Sequence, residues 1–177
     1  ADAGVGKIAM KHRHHVTSDH EADEDGMDPH IWLSPSCVRH MADTIRDAFI
    51  TIDPVHREDY IRNYLSFITE IDALDADMKK TFASAGSKSR FLVFHPAWGY
   101  FAREYGLEQI PIEIEGKEPK PADIIRISRD AKKNGIRIVF SQPRVSSRSA
   151  HVIADAIGGS VVEVDPLAGT GPPISVM

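Results

Sequence analysis

Arg90-Phe91-Leu92-Val93-Phe94-His95-Pro96-Ala97-Trp98-Gly99-Tyr100-Phe101 is the stretch on which the reading of the fold turns. The apolar run Phe91 to Phe94, with β-branched and aromatic members, predicts a buried strand. The strand ends at His95, and Pro96, which has a preset φ and no N–H to satisfy, predicts that a helix opens there. An imidazole is thereby set at the carboxyl end of a strand, where open α/β sheets hold ligands. Alone, His95 reads equally as a hydrogen-bonded turn residue.

Downstream of this stretch the pattern alternates. A helix is expected from Ala97 to Tyr105, closed by Gly106, then an extended piece from Gln109 to Ile114 and a polar loop from Glu115 to Lys120. Pro121 opens a helix to Asn134, Ile136 to Phe140 reads as a buried strand, Ser146 to Ile157 as a helix closed by Gly158-Gly159, and Val161 to Val164 as the last strand. Strand and helix in alternation predict a parallel sheet with right-handed crossovers, the α/β class. The last strand runs into Asp165-Pro166, which places a carboxylate at a strand's carboxyl end. The plain alternative is an Asp that caps the following turn.

Upstream, Asp53-Pro54 starts a helix with Tyr60, Tyr64, Phe67, Ile71, Leu74, Met78 and Phe82 at steps of three and four. Continuous from Pro54 to Ala83, it would be about 45 Å long, enough to join two lobes. Before it, Ser34-Pro35 predicts a capped helix start, with Val38, Met41, Ala42, Ile45, Phe49 and Ile52 on one face. His30 precedes that helix in a piece expected to be extended, with Trp32 and Leu33 as apolar anchors. It too reads either as a packed turn residue or as a ligand.

Residues 1–27 are of another kind. His12, His14, His15 and His20 alternate with Asp19, Glu21, Asp23, Glu24 and Asp25 among glycines, too polar to offset ordering entropy by burial. A solvated mobile loop and an adaptable metal-capturing segment are both consistent with this composition. The whole chain has 177 residues, 42% hydrophobic and 27% charged, the profile of an ordinary soluble domain. A net charge of −5 with no basic patch argues against nucleic acid. No apolar run approaches the ~20 residues of a membrane span. A lone Cys37 excludes an internal disulfide.

His30, His95 and Asp165 each stand beside a proline, on a turn. Two imidazoles and a carboxylate suit Zn²⁺, whose tetrahedral geometry asks for one more ligand. Hydrogen bonds to the second imidazole nitrogens are expected to fix the tautomers, with partners that the sequence does not name. No HExxH, paired CxxC, GxSxG or phosphate-binding glycine pattern is present.

These blocks also resemble a known family. DPHIWLSP (28–35), the long helix, FHPAWGYF (94–101), IEGKEPKPADI (114–124), IVFSQPRVSS (138–147) and VEVDPLA (162–168) resemble the cluster A-I solute-binding proteins of zinc- and manganese-type ABC importers, most nearly the periplasmic zinc branch. The resemblance implies a metal held between two lobes by three His and one carboxylate, with His30 as the second His, His95 as the third and Asp165 as the carboxylate. Manganese-preferring relatives usually carry a carboxylate where His95 stands, so zinc is implied. It further implies a receptor outside the cytoplasmic membrane that passes metal to an ABC transporter permease, without a catalytic step. Trp32, Trp98 and Tyr100 would shield the metal from water.

The expected organisation is a remnant of an N-terminal lobe over 1–52, whose first 27 residues are the His- and acid-rich loop, a spanning helix over 53–84, and an α/β lobe over 85–177. Most of the N-terminal lobe and the closing helix are expected to be missing, so the chain reads as a fragment that lacks the first His. His12, His14 or His15 could take its place. Ser141-Gln142 stands where zinc-binding relatives often have an acidic residue, and no ligand is expected there. Competing readings are a manganese or iron receptor of the same family, a zinc-dependent hydrolase, a clamp for a siderophore or cobalamin, and a fragment with no site of its own.

Overall fold

The computed structural model describes residues 2–10, 26–83, 89–143 and 148–167. The chain forms two compact units, one built from Ala1–Ala9, Met27–Ser89 and Trp98–Leu107, the other from Met10–Gly26, Arg90–Ala97 and Glu108–Met177.

In the first unit, a 3-10 turn at Ile31–Leu33 leads into α1 (Pro35–Ile52), a second 3-10 turn at Pro54–His56 leads into α2 (Arg57–Ala83), and the short α3 (Gly99–Glu104) completes it. Pro35 takes the first helical position, as its fixed φ favours. The expected cap from Ser34 is not made. Its hydroxyl is held by Glu104, whose carboxylate also accepts the Ser36 N–H and so caps the first turn of α1 in its place. The helix expected to run unbroken from Pro54 begins with a 3-10 turn. α2 proper has 27 residues, about 40 Å at ~1.5 Å per residue.

The inward face of α2 is shifted from the apolar stripe. Phe67 and Leu74 are exposed, while Asp75 is buried, on the face shared by Tyr64, Ile68, Ile71, Met78 and Phe82. An aspartate holds a core position because it is fully partnered: Arg39 of α1 donates at 2.7 Å, Lys79 at 2.9 Å and the Tyr105 hydroxyl at 3.1 Å. Burial alone would raise its pKa, but these three hydrogen bonds outweigh burial and hold the carboxyl below the usual range. Burial, reinforced by the negative charge of Asp75, pushes the Tyr105 hydroxyl up, which keeps it a donor. A depressed carboxyl pKa contributes stability that is full above the unfolded value of about 4 and is lost as the pH falls through the folded value. Asp75→Asn is therefore expected to cost about 1–2 kcal/mol at pH 7 and to flatten this acid limb in urea melts between pH 5 and pH 2.

The α1 stripe is only partly covered. Val38, Met41 and Ala42 are half-buried, whereas Ile45, Phe49 and Ile52 are exposed, the last at 80%.

The second unit is a four-stranded sheet of β1 (Arg90–Val93), β2 (Glu108–Pro111), β3 (Ile138–Ser141) and β4 (Ser160–Glu163), ordered β2-β1-β3-β4 and parallel throughout. Helices α4 (Pro121–Lys133) and α5 (Arg148–Ile157) connect β2 to β3 and β3 to β4. Their apolar faces meet the sheet around Leu92, Ile127, Val139, Ala150 and Ile153, the core of this unit. At the α5–β4 junction a side chain on Gly159 would meet the Arg137 carbonyl oxygen at 2.0 Å, because Ser160 N–H already bonds that oxygen at 2.9 Å. Only glycine fits so close an approach.

The order reverses between β1 and β3, the switch point at which doubly wound sheets place ligands beyond the carboxyl ends of their strands. His95 follows β1, Glu113 follows β2 and Asp165 follows β4.

Candidate metal centre

The helix expected to open at Pro96 begins three residues later. Residues 94–98 form bends and turns, closed by an Ala97 N–H to His95 carbonyl bond of 2.9 Å, and α3 starts at Gly99. His95 is consequently held on a tight turn, half-buried. Two further backbone bonds tie the strand ends together: Ile112 N–H bonds the Val93 carbonyl at 2.8 Å and Glu113 N–H the Phe94 carbonyl at 3.1 Å. This places Glu113 alongside His95, and its Oε1 lies 2.8 Å from His95 Nδ1. Glu113 is only 6% exposed.

Beyond Glu113 the chain turns back at once. Glu115, with φ 51°, and Gly116, with φ 72°, form a tight turn closed by two hydrogen bonds between Ile114 and Lys117, of 3.0 and 2.9 Å. Ile114 is buried, so this turn fixes the backbone that carries Glu113.

His30 is built in a similar way in the other unit. The expected extended piece is instead the 3-10 turn that follows His30, entered by an Ile31 N–H to Pro29 carbonyl bond of 2.8 Å. Asp28, at 1% exposure, uses one oxygen twice: Oδ1 accepts the His30 backbone N–H at 2.9 Å and lies 2.7 Å from His30 Nδ1. Its Oδ2 is buried with no hydrogen-bond partner among the described residues. Trp32, expected to be a buried anchor, is 37% exposed, with its ring tilted against the His30 imidazole at 5.3 Å.

A carboxylate offers only acceptors, so in both pairs the Nδ1 atom carries the proton. The lone pair then resides on Nε2, the nitrogen that a metal would take. A carboxylate that holds the far nitrogen of an imidazole is the usual supporting arrangement behind metal-ligating histidines: it fixes the tautomer and raises basicity. These are the partners that the sequence left unnamed.

Asp165 is exposed, and its Oδ1 accepts the Leu167 N–H at 2.9 Å, the turn-capping role. His12, His14, His15 and His20 lie outside the described residues. Among the described residues, no group of three or more His, Cys, Asp or Glu side chains is assembled for a metal. Trp98 is half-buried with its ring edge-on to Phe101. Tyr100 is completely buried, with Ile31 and Cys37, in the core of the first unit.

Glu113 was not singled out from the sequence, where it interrupts an otherwise apolar extended run, Ile110-Pro111-Ile112-Glu113-Ile114. One acid inside a buried apolar run is the signal that could have found it. Asp28 stood in view within DPHIW, without a role.

Imidazoles oriented by buried carboxylates on short turns suit a metal-binding protein. The chain belongs to the family described as "Zinc-uptake complex component A periplasmic", which it matches over residues 1–175. It is 32% identical over 145 residues to the high-affinity zinc uptake system protein ZnuA of Bacillus subtilis, covering 81% of this chain and 45% of that protein. It is 34% identical over 175 residues to the zinc-binding protein AdcA of Streptococcus pyogenes, covering 94% and 34%. It is also 31% identical over 153 residues to the iron-binding protein YfeA of Yersinia pestis, covering 82% and 49%. The chain thus spans between a third and a half of these relatives. A crystal structure of ZnuA matches the fold with a TM-score of 0.81 at 35% identity, covering 94% of this chain and 60% of that one. A zinc-bound deletion variant of ZnuA matches equally, at 36% identity. The family is one of transport receptors, not enzymes, which removes the hydrolase reading.

Proposed function

We propose that this chain is the zinc-capturing part of an extracytoplasmic receptor that delivers Zn²⁺ to the permease of an ABC importer. The observation that carries this reading is the pair of carboxylate-held imidazoles, Asp28 with His30 and Glu113 with His95. In this reading His30 and His95 offer Nε2, and Asp165 a carboxylate oxygen, as ligands to the transported ion. Asp165 accepts the Leu167 N–H with one oxygen, and a carboxylate oxygen has a second lone pair and a neighbour available to a cation. His12, His14, His15 and His20 form an accessory segment that captures metal weakly and raises its local concentration.

Imidazole donors favour zinc over manganese, which takes harder oxygen ligands. The family match and the zinc-named relatives support the same cargo. The likeness to an iron-binding relative favours an iron receptor as the second reading. The two are separated by competition titrations with Zn²⁺, Mn²⁺ and Fe²⁺. Zinc is expected to bind at least ~100-fold more tightly than manganese, and preference for Fe²⁺ over Zn²⁺ would favour the second reading. Among the described residues no helix is long and apolar enough to cross a membrane.

A further inference from the structure

Tyr100 reaches the backbone that carries the Asp28 carboxylate. Its hydroxyl donates to the Asp28 carbonyl oxygen at 3.1 Å and accepts the Ile8 N–H at 3.3 Å. Asp28 N–H in turn bonds the Ile8 carbonyl at 2.8 Å, next to the antiparallel bridge between Ala9 and Met27. Ile8 and Asp28 thus face each other as an antiparallel pair in which one of the two usual bonds is made directly. The other, from Ile8 N–H to the Asp28 carbonyl, is replaced by the inserted hydroxyl. The Tyr100 ring meanwhile packs in the small core formed with Ile31 and Cys37. One side chain therefore fixes the peptide two residues before His30 and packs in one core with the side chain just after it.

The consequence for the imidazole follows from Asp28. Its Oδ1 is the atom that holds both the His30 N–H and Nδ1, and the carboxylate hangs from the backbone that Tyr100 anchors. Without the hydroxyl, the Asp28 carbonyl and the Ile8 N–H must find other partners, and buried polar groups left unpaired force the local backbone to move. The carboxylate then no longer sets the ring.

We propose that Tyr100 is a positioning residue for His30, acting through the Asp28 backbone to fix the imidazole tautomer and with it zinc affinity. This rests on the reading of His30 as a zinc ligand. Tyr100 lies five residues after His95 in the same sequence block, so that one block supplies both a candidate ligand and the support of another.

The test uses the whole chain and three variants, Tyr100→Phe, Tyr105→Phe and His30→Ala. Zinc affinity is measured by competition with a chromogenic chelator, and the His30 ring nitrogens by long-range ¹H–¹⁵N correlation without metal. Tyr100→Phe is expected to lower zinc affinity about tenfold, in the range of other outer-shell losses, and to mix the His30 tautomers. Tyr105→Phe removes a comparable hydroxyl bond, the one to Asp75, and is expected to lower the melting temperature while leaving affinity and the His30 signals unchanged. His30→Ala with reduced affinity but Tyr100→Phe at the wild-type value would overturn this inference alone. An unchanged His30→Ala would overturn the ligand reading and this inference with it. Should Tyr100→Phe fail to fold, a His30 ring of the unsubstituted chain that is not in the Nδ1–H form overturns the proposal.

Discussion

His95→Ala should reduce zinc affinity more than about 100-fold while leaving the fold in place. A lost ligand must cost more than the 10–100-fold typical of a lost supporting group. The backbone of this turn does not depend on the ring: Phe94 N–H bonds the Phe140 carbonyl at 2.8 Å and Ala97 N–H bonds the His95 carbonyl at 2.9 Å. Neither bond involves the imidazole. Far-ultraviolet circular dichroism should therefore be unchanged, and calorimetric titration should show the loss. Affinity equal to that of the parent chain would remove His95 from the ligand set.

Glu113→Ala is expected to weaken zinc binding by about 10–100-fold, second only to the loss of a ligand. The carboxylate touches the ring at Nδ1 and would not itself meet the ion, so its influence is on the tautomer and the basicity of Nε2. Glu113→Gln separates these two effects. The amide oxygen can still accept the Nδ1 proton, which retains the tautomer, but it lacks the charge that strengthens the bond. Glu113→Gln should accordingly fall between the parent and Glu113→Ala. Equal affinities for both variants and the parent would mean that the hydrogen bond serves only the fold.

The parallel sheet and its helices were legible because strand and helix signals alternate cleanly around Pro121, Gly135 and Gly158-Gly159, and the observed elements agree within a few residues. Helix α2 shows where periodicity misleads. Phe67 and Leu74 carry the apolar pattern, yet Asp75 takes the inward place, because Arg39 and Tyr105 arrive from elsewhere in the chain to join Lys79, one turn on in the same helix. Sequence spacing along one helix records Lys79 but not the two distant partners. The α1 stripe misleads in the opposite sense, since an apolar face states only that it can be covered. Pro96 has the φ of a helix start, but the His95 carbonyl is spent on a tight turn first.

The candidate site divides in the same way. His30 and His95 stood out as imidazoles on proline-flanked turns. Their carboxylate partners did not, for different reasons. Glu113 reaches His95 through pairing between adjacent strands 18 residues apart, a tertiary fact. Asp28 is only two residues from His30, but nothing in the spacing distinguishes a carboxylate that grips the ring from one that merely caps the turn.

His30 and His95 are proposed as zinc ligands, and the decisive experiment is zinc titration, in competition with a chromogenic chelator, of the chain and of the double variant His30→Ala with His95→Ala. Tight stoichiometric binding by the parent chain, lost in the double variant, is the predicted result. Weak binding of several ions that persists unchanged in the double variant would contradict the account and assign the metal to His12, His14, His15 and His20 instead.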